Sequence, residues 1–330
     1  MPRPDAPAAG HSFAGAKAGG RAQQSGRASL SATKNPRRAY VFGLLTVGLW
    51  STVASAFKLT LEHLGPARLV LAASLASVLT LALVLAARGA LGAAVAGLPR
   101  HLGRSLAMGA LNPLLYYVVL FEAYDRLPAQ EAQPLNYTWA LTLSLLAIPL
   151  LGQRMTRWDV LAGLVCYSGV WVIATRGDLF SLRFEDGAGV LLALGSTVIW
   201  ALYWIYGTRD RRDPVTGLFQ NFLAALPLVA VYCVLVEPLA FPWPGLAGAA
   251  YVGVFEMGLA FVFWLTALRH AENASRVANL IFLAPFLSLV LIHFLVGETI
   301  RMSTMGGLVL IVAGLVFQQL KARQQAGPLP

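Results

Sequence analysis

The sequence predicts an all-α polytopic membrane protein in which ten transmembrane helices form two inverted five-helix repeats. Three observations predict it: ten apolar stretches of membrane-spanning length, 57% hydrophobic against 12% charged residues, and matching motifs in the two halves. A hydrocarbon core ~30 Å thick requires ~20 apolar residues as a helix, whereas a soluble domain has about a quarter of its residues charged. The stretches lack the strict alternation of a membrane barrel, so each is interpreted as a helix.

The apolar stretches fall five in each half of the chain. In the first half they predict helices over residues 40–59, 69–87, 105–124, 129–151 and 160–175. In the second half they predict helices over residues 187–206, 215–236, 245–268, 274–296 and 303–320.

The basic residues predict the orientation of the helices. With the N-terminus inside, 19 of the 25 Lys and Arg flank the cytoplasmic ends of the stretches, as the positive-inside rule requires. Both termini are therefore expected in the cytoplasm, and topology accounts for the net charge of +10 without a nucleic-acid partner. Residues 1–37 lack the apolar region of a signal peptide and are expected to form a disordered cytoplasmic tail. Cys166 and Cys233 fall inside apolar stretches and are expected to be buried packing residues.

Equivalent motifs in the two halves indicate an internal duplication. The matched positions are Gly152 with Gly297, Gly169 with Gly314, and Trp50 with Trp200. Two of these pairs share an offset of 145 residues, and the third has an offset of 150. Because five helices is an odd number, the second repeat enters the membrane from the opposite side, which is a recurring design of transporters. We assign the first repeat to residues 38–178 and the second to residues 185–323.

Polar and aromatic side chains at helical spacing predict a central cavity between helices one, three, four, six, eight and nine. In helix four, Gln130, Gln133, Asn136 and Tyr137 recur at intervals of three and four residues, beside Trp139. Amides at this depth are costly unless they find partners or water, so they are expected to face the interior. They either bind polar groups of a substrate or hold helices together.

The other helices contribute further candidates. They are Trp50 in helix one, Asn112, Tyr116 and Tyr117 in helix three, Trp200 and Trp204 in helix six, and Asn279 and Phe282 in helix nine. Aromatic rings serve packing as well as binding, so both roles stay open. A proline removes a backbone hydrogen bond and bends a helix, which makes Pro113 and Pro285 hinge candidates.

Glu256 is a carboxylate near the middle of helix eight. An unpaired charge there costs at least ~2.5 kcal/mol, so the group must be protonated, paired or in contact with water. It either couples transport to protons, holds a substrate ammonium group, or is a neutral carboxyl bonded to a neighbouring helix. Glu122, Glu131 and His293 fall near helix ends, where solvation is easy, and are expected to be structural.

Four motifs carry a resemblance to a known family. LWST at 49–52, NYTW at 136–139, LGQR at 151–154 and IWALY at 199–203, together with the ten-helix pattern, resemble EamA-type members of the drug/metabolite transporter superfamily. Within it, they look like bacterial aromatic amino acid exporters and their relatives. The resemblance implies a multi-pass protein of the bacterial inner membrane that exports amino acids or similar metabolites. It implies no cofactor and leaves the substrate open.

Absent motifs exclude other functions. The sequence has no phosphate-binding glycine loop with lysine, no histidine cluster for a metal, and no nucleophile elbow of a hydrolase. We therefore expect no enzymatic activity and interpret the chain as a secondary transporter driven by a gradient. Its expected partners are a small-molecule substrate and the lipid bilayer, and its expected oligomeric state is a monomer or a dimer. A proton-coupled carrier of drugs or other metabolites is the first alternative. The second alternative is a membrane enzyme or a lipid-handling protein, for which polar residues would be expected at one membrane interface.

Overall fold

The computed structural model of the chain describes residues 35–152, 156–180, 186–272, 277 and 279–325. Within these residues ten helices are long and apolar enough to cross a membrane, which confirms the predicted number. The predicted tail at 1–37 falls almost entirely outside the described residues, as do Gln153 and Arg154 of the LGQR motif.

The helices are numbered α1 to α10 in chain order. The first half contains α1 Pro36–Leu61, α2 Pro66–Ala87, α3 Leu91–Arg126, α4 Ala129–Leu151 and α5 Arg157–Ala174. The second half contains α6 Gly187–Gly207, α7 Pro214–Val236, α8 Trp243–His270, α9 Asn279–Val296 and α10 Met302–Gln325. We call the side of the bundle at which α1 begins and α10 ends the terminal face, and the other side the distal face.

Helix α3 differs from the prediction at its first turns. Helix α3 begins at Leu91 rather than at residue 105, because its first turns contain Pro99 and basic residues that hide a helix from an apolar profile. These turns pack on α7, where Gln220 Nε2 donates to the carbonyl of Ala94 at 2.6 Å. The continuously described part of α9 starts with a tight turn over Asn279–Leu283. Most of its predicted start at 274–278 lies outside the described residues.

Gly152 and Gly297, which the sequence analysis matched, each follow the end of a helix. Gly152 follows α4 with a φ of +68°, and Gly297 follows α9 with a φ of +79°. Glycine adopts this left-handed conformation without the steric cost that a Cβ atom brings. The two turns lie on opposite faces, because α4 runs toward the terminal face and α9 toward the distal face.

The last helices of the two halves, α5 and α10, pack against each other through glycines. A Cβ atom on Gly169 would come within 2.5 Å of the Gly307 carbonyl oxygen, and one on Gly314 within 2.8 Å of the Ala162 carbonyl oxygen. Small residues allow backbones to approach closely, and the resulting van der Waals packing is one of the forces that drive helix association in lipid. Gly169 and Gly314, matched in the sequence, therefore both lie in this contact.

On the distal face, carboxylates from the second half cap two helices of the first half. Glu237 accepts hydrogen bonds from the backbone N–H of Ala67 at 2.9 Å and from Arg68 Nε at 2.8 Å, at the start of α2. Glu298 accepts from the N–H groups of Ala129 at 2.6 Å and Gln130 at 3.1 Å, at the start of α4. A carboxylate at a helix N-terminus satisfies free N–H groups and the helix dipole.

Glu131 is a correction to the sequence analysis. Easy solvation was expected there, but its side chain is buried in the distal face, with 3% of the residue exposed. It accepts a hydrogen bond from Arg176 Nε at 2.8 Å and another from Arg301 Nη1. The error arose because the end of a helix was equated with the edge of the protein, whereas loops cover this end. Glu122 is partly exposed and lies 3.9 Å from Arg126, as expected of a residue near a helix end.

Candidate functional site

A cavity of about 90 Å³ lies in the middle of the bundle, between the two halves. Its walls come from α1, α3, α4, α6, α8 and α9, the six helices that the sequence analysis selected. Helices α5 and α10 contribute no side chain to it within the described residues.

The cavity gathers nine of the candidate residues. They are Trp50, Tyr116, Gln133, Asn136, Tyr137, Trp139, Trp200, Trp204 and Glu256. Four other candidates are not among the residues of its wall: Asn112, Tyr117, Asn279 and Phe282. Their predicted contact with a substrate has no support in this geometry, although Tyr117 reaches the cavity indirectly through Glu256.

Aromatic rings form most of the wall and hold one another in place. The ring of Trp200 stacks on Tyr116 with centroids 4.4 Å apart, and meets Trp204 edge-on at 5.9 Å. The centroids of the Trp50 and Trp264 rings lie 5.6 Å apart. Offset stacks and edge contacts are the favoured geometries of aromatic pairs. The cavity therefore presents both ring faces and ring edges to its interior.

Amide groups of α4 supply the polar part of the wall. Asn136 Nδ2 donates to Ser196 Oγ at 2.9 Å, and Asn136 Oδ1 faces the Tyr116 hydroxyl at 3.5 Å. Gln133 Oε1 and Trp204 Nε1 are buried and have no hydrogen-bond partner among the described residues. Asn136 thus has an evident structural role between α4 and α6, while Gln133 and Trp204 keep hydrogen-bonding capacity for a ligand.

Glu256 lies on a widened, π-helical part of α8, Val252–Ala260. Such π-helical segments are rare and often occur at functional sites. The Tyr117 hydroxyl donates to Glu256 Oε1 at 3.4 Å. The second oxygen, Oε2, is buried without a partner among the described residues. The carboxyl group therefore borders the cavity and interacts with two side chains of the bundle, Tyr117 and Trp50.

Both predicted hinge prolines lie at breaks in a helix. Pro113 belongs to a π-helical segment of α3, Ala110–Leu115, and the preceding Asn112 has extended backbone angles (φ −145°, ψ 112°). The buried Asn112 therefore marks the bend, and the turn after it carries Tyr116 to the cavity. Pro285 lies in the first turn of the regular α-helical part of α9. Movement at either proline stays a prediction.

Side chains separate the cavity from both faces. Toward the terminal face, Trp204 and Phe261 line both the central cavity and a second cavity of about 230 Å³. Toward the distal face, the Phe57 ring packs against Tyr124 at 5.3 Å. Lys58 Nζ donates to the carbonyl oxygens of Tyr124 at 2.8 Å and Leu127 at 3.0 Å, which ties α1 to the end of α3.

The second cavity contains a buried arginine that sequence reasoning missed. Arg212, with 8% of its side chain exposed, uses all five of its N–H groups. The acceptors are Asp210, Ser105 Oγ at 2.8 Å, Gln220 Oε1 at 2.7 Å and Asn221 Oδ1 at 2.9 Å. Burial alone would raise the pKa of Asp210, but the hydrogen bonds from Arg212 outweigh it and lower that pKa. Arg212 therefore joins α3, α7 and the loop before α7.

Seven lining residues were not among the candidates. They are Val53, Phe57, Leu120, Tyr124, Phe261, Trp264 and Ile281. Helical spacing could have found four of them, because Val53 and Phe57 follow Trp50 by three and seven residues, and Leu120 and Tyr124 follow Tyr116 by four and eight. Ile281 carries no chemical signal that distinguishes it from other apolar residues.

Several known proteins resemble this chain. An aromatic amino acid exporter, YddG, of Ancylobacter novellus is 28% identical over 77% of this chain and 87% of its own length. A probable terminal-alkyne amino-acid exporter of Streptantibioticus cattleyicolor is 29% identical over 83% of this chain and 90% of its own length. The threonine/homoserine exporter RhtA of Salmonella typhimurium is 25% identical over 67% of this chain and 70% of its own length.

A solved crystal structure has the same fold, with a TM-score of 0.63, 24% identity, and coverage of 87% of this chain and 98% of that one. The model of the EamA-like transporter family matches residues 37–175 and again residues 187–318, which together are most of the chain. This match and the ten apolar helices agree with the resemblance seen in the sequence. The chain is a multi-pass membrane protein that belongs to the EamA-like transporter family.

Proposed function

We propose that this chain is a secondary transporter that exports amino acids, aromatic and neutral ones included, through the central cavity. The observation that carries the proposal is the composition of the cavity wall: aromatic rings, two amides and one carboxylate, placed between the two halves in the middle of the bundle. Rings fit an apolar side chain, and the polar groups fit the charged end of an amino acid. The exporter names of relatives at 25–29% identity support the same substrate class.

Alternating access is the proposed mechanism. Trp204 and Phe261 would open toward the terminal face, and Phe57 and Tyr124 toward the distal face, as the two halves rock. The present cavity of about 90 Å³ is smaller than the ~150 Å³ cavity that holds a benzene molecule. Entry of an aromatic amino acid therefore requires these side chains to move.

The location and orientation follow from charge. The distribution of 19 of the 25 basic residues supports cytoplasmic termini in a bacterial inner membrane, which makes the terminal face cytoplasmic. In export, the substrate then enters from the cytoplasm through the second cavity, which Arg212 lines. The six cavity helices belong to one chain, which supports a monomer as the transporting unit, with a dimer as the alternative.

Glu256 favours a second candidate function, a proton-coupled carrier of drugs or other metabolites. A buried carboxyl group in an aromatic cavity could exchange a proton for a cationic substrate. The two functions differ in their driving force, since an amino acid carrier of the proposed kind equilibrates its substrate without an imposed ion gradient.

Uptake into proteoliposomes tests the proposal. The purified protein is reconstituted, and saturable uptake of labelled phenylalanine, threonine, methionine, lysine and glutamate is compared with that of empty liposomes. We expect uptake of phenylalanine, and its loss in Trp200→Ala, because that ring stacks in the cavity wall. Trp243→Ala is the matched control, since Trp243 is 78% exposed and outside the cavity. Absence of uptake of all five amino acids by folded protein would refute the proposal and favour the drug carrier.

A further inference from the structure

We propose that the central cavity recognises the ammonium group and the apolar body of its substrate, so that it accepts primary amines lacking a carboxylate. This inference rests on the proposed function and narrows its substrate class. The observation behind it is the composition of the wall: among the described residues that line the cavity, Glu256 supplies the one carboxyl group, and none is Lys, Arg or His.

The hydrogen-bonding groups left free in the wall favour a donor. Glu256 Oε2 and Gln133 Oε1 are buried acceptors without hydrogen-bond partners among the described residues. Trp204 Nε1 is a buried donor that likewise has no partner among them. An unsatisfied buried polar group is costly, so a ligand that satisfies it gains affinity. An ammonium group brings three N–H donors, whereas a carboxylate brings acceptors alone.

The surrounding rings favour the same group. Trp50 packs against Trp264, Tyr116 stacks on Trp200, and all four rings line the cavity together with Glu256. Ring faces attract cations, and the primary ammonium group of lysine is among the cations that they attract. A carboxylate, by contrast, would meet only neutral hydroxyl, amide and indole groups and the carboxyl group of Glu256, and no cationic side chain. Discrimination against an anion is therefore built into the wall.

Three ligands with one phenyl ring separate the contributions: L-phenylalanine, phenethylamine, which lacks the carboxylate, and hydrocinnamate, which lacks the ammonium group. Binding to the purified full-length protein is followed by tryptophan fluorescence, because five of the eight tryptophans line the cavity. Excitation is at the red edge of indole absorption, where a phenyl ring does not absorb. We expect phenethylamine to bind at least as tightly as phenylalanine, and hydrocinnamate at least ~tenfold more weakly.

Glu256→Gln tests the assigned partner of the ammonium group. The variant should weaken phenethylamine binding at least ~tenfold and leave hydrocinnamate binding unchanged or stronger. Glu122→Gln is the control, because it removes a carboxylate of α3 that lies outside the cavity wall. If the Glu256→Gln variant does not fold, the wild-type ranking of the three ligands still decides the question.

The outcomes separate this inference from the proposed function. Binding of phenylalanine without binding of phenethylamine, or equal binding of phenethylamine by wild type and Glu256→Gln, would overturn the inference while amino acid recognition stands. Binding of hydrocinnamate as tightly as of phenethylamine would overturn it as well. Failure of all three ligands to bind folded protein, together with absent phenylalanine uptake, would overturn both.

Discussion

The contact between α5 and α10 allows a prediction with a matched control on one helix. In Gly169→Ala, the new Cβ atom would lie 2.5 Å from the Gly307 carbonyl oxygen and 2.9 Å from Ile311 Cγ1. Ordinary contact begins at 3.4 Å, so the backbones must separate by about 0.9 Å, the difference between 2.5 and 3.4 Å. In Gly163→Ala, on the same helix, the nearest atoms are those of Leu141 at 4.0 Å.

Opposing effects set the size of the change. Alanine favours a helix over glycine by ~1 kcal/mol, which is the expected upper limit of stabilisation for Gly163→Ala. At Gly169 the same gain is offset by overpacking against backbone, which does not rotate away as a side chain does, and this costs ~1–3 kcal/mol or more. We therefore expect Gly169→Ala to lower the free energy of unfolding and Gly163→Ala to leave it unchanged or raise it.

The chain contains its own reporter for this experiment. Cys166 and Cys233 are both buried, so a dye that becomes fluorescent on reaction with thiols reports thermal unfolding in mild detergent. Gly169→Ala should melt below wild type and Gly163→Ala at or above it. Equal melting temperatures of the two variants would refute the close approach of α5 and α10.

Three further predictions use the same assay. Glu131→Gln should lower stability by ~1–3 kcal/mol, because Arg176 and Arg301 lose the carboxylate that they share; unchanged melting would show that this pairing is dispensable. Arg212→Lys should cost a similar amount, since three ammonium N–H groups cannot replace five, and a melting temperature equal to wild type would contradict the network. The pKa of Asp210 is lowered below its ordinary 3.8, so wild type should be more stable than Asp210→Asn above that pH, and the advantage should shrink as the pH falls below it. An advantage that grows on acidification would have the wrong sign.

The sequence was sufficient for the number of helices and for most of their bounds, because the hydrocarbon core imposes a length and a polarity on each. Helix α4 begins and ends where the apolar stretch does, at Ala129 and Leu151. The apolar profile missed the early start of α3, because Pro99 and Arg100 lower the mean hydropathy of its first turns. These turns are nevertheless ordered, since they pack on α7. The length of an apolar stretch thus predicts the part of a helix that contacts lipid. It does not predict the part that contacts protein and water.

The cavity was predictable to the extent that chemistry marks its residues. Trp50, Gln133 and Glu256 are unusual inside apolar stretches, and the structure gathers all three. Tyr117 carries the same signal but points at Glu256 from behind the wall, one position along the helix from Tyr116. Sequence spacing alone did not separate these neighbours, because the bend at Pro113 changes which face of α3 turns inward.

The two carboxylate caps on the distal face have a consequence for biosynthesis. A ribosome makes Ala67 and Ala129 long before Glu237 and Glu298, which follow them by 170 and 169 residues. Until then, the first turns of α2 and α4 must satisfy their N–H groups with water or lipid headgroups. The caps of α2 and α4 therefore form only after the second half has been synthesised. For the same reason, two separately expressed halves should stabilise each other on co-expression.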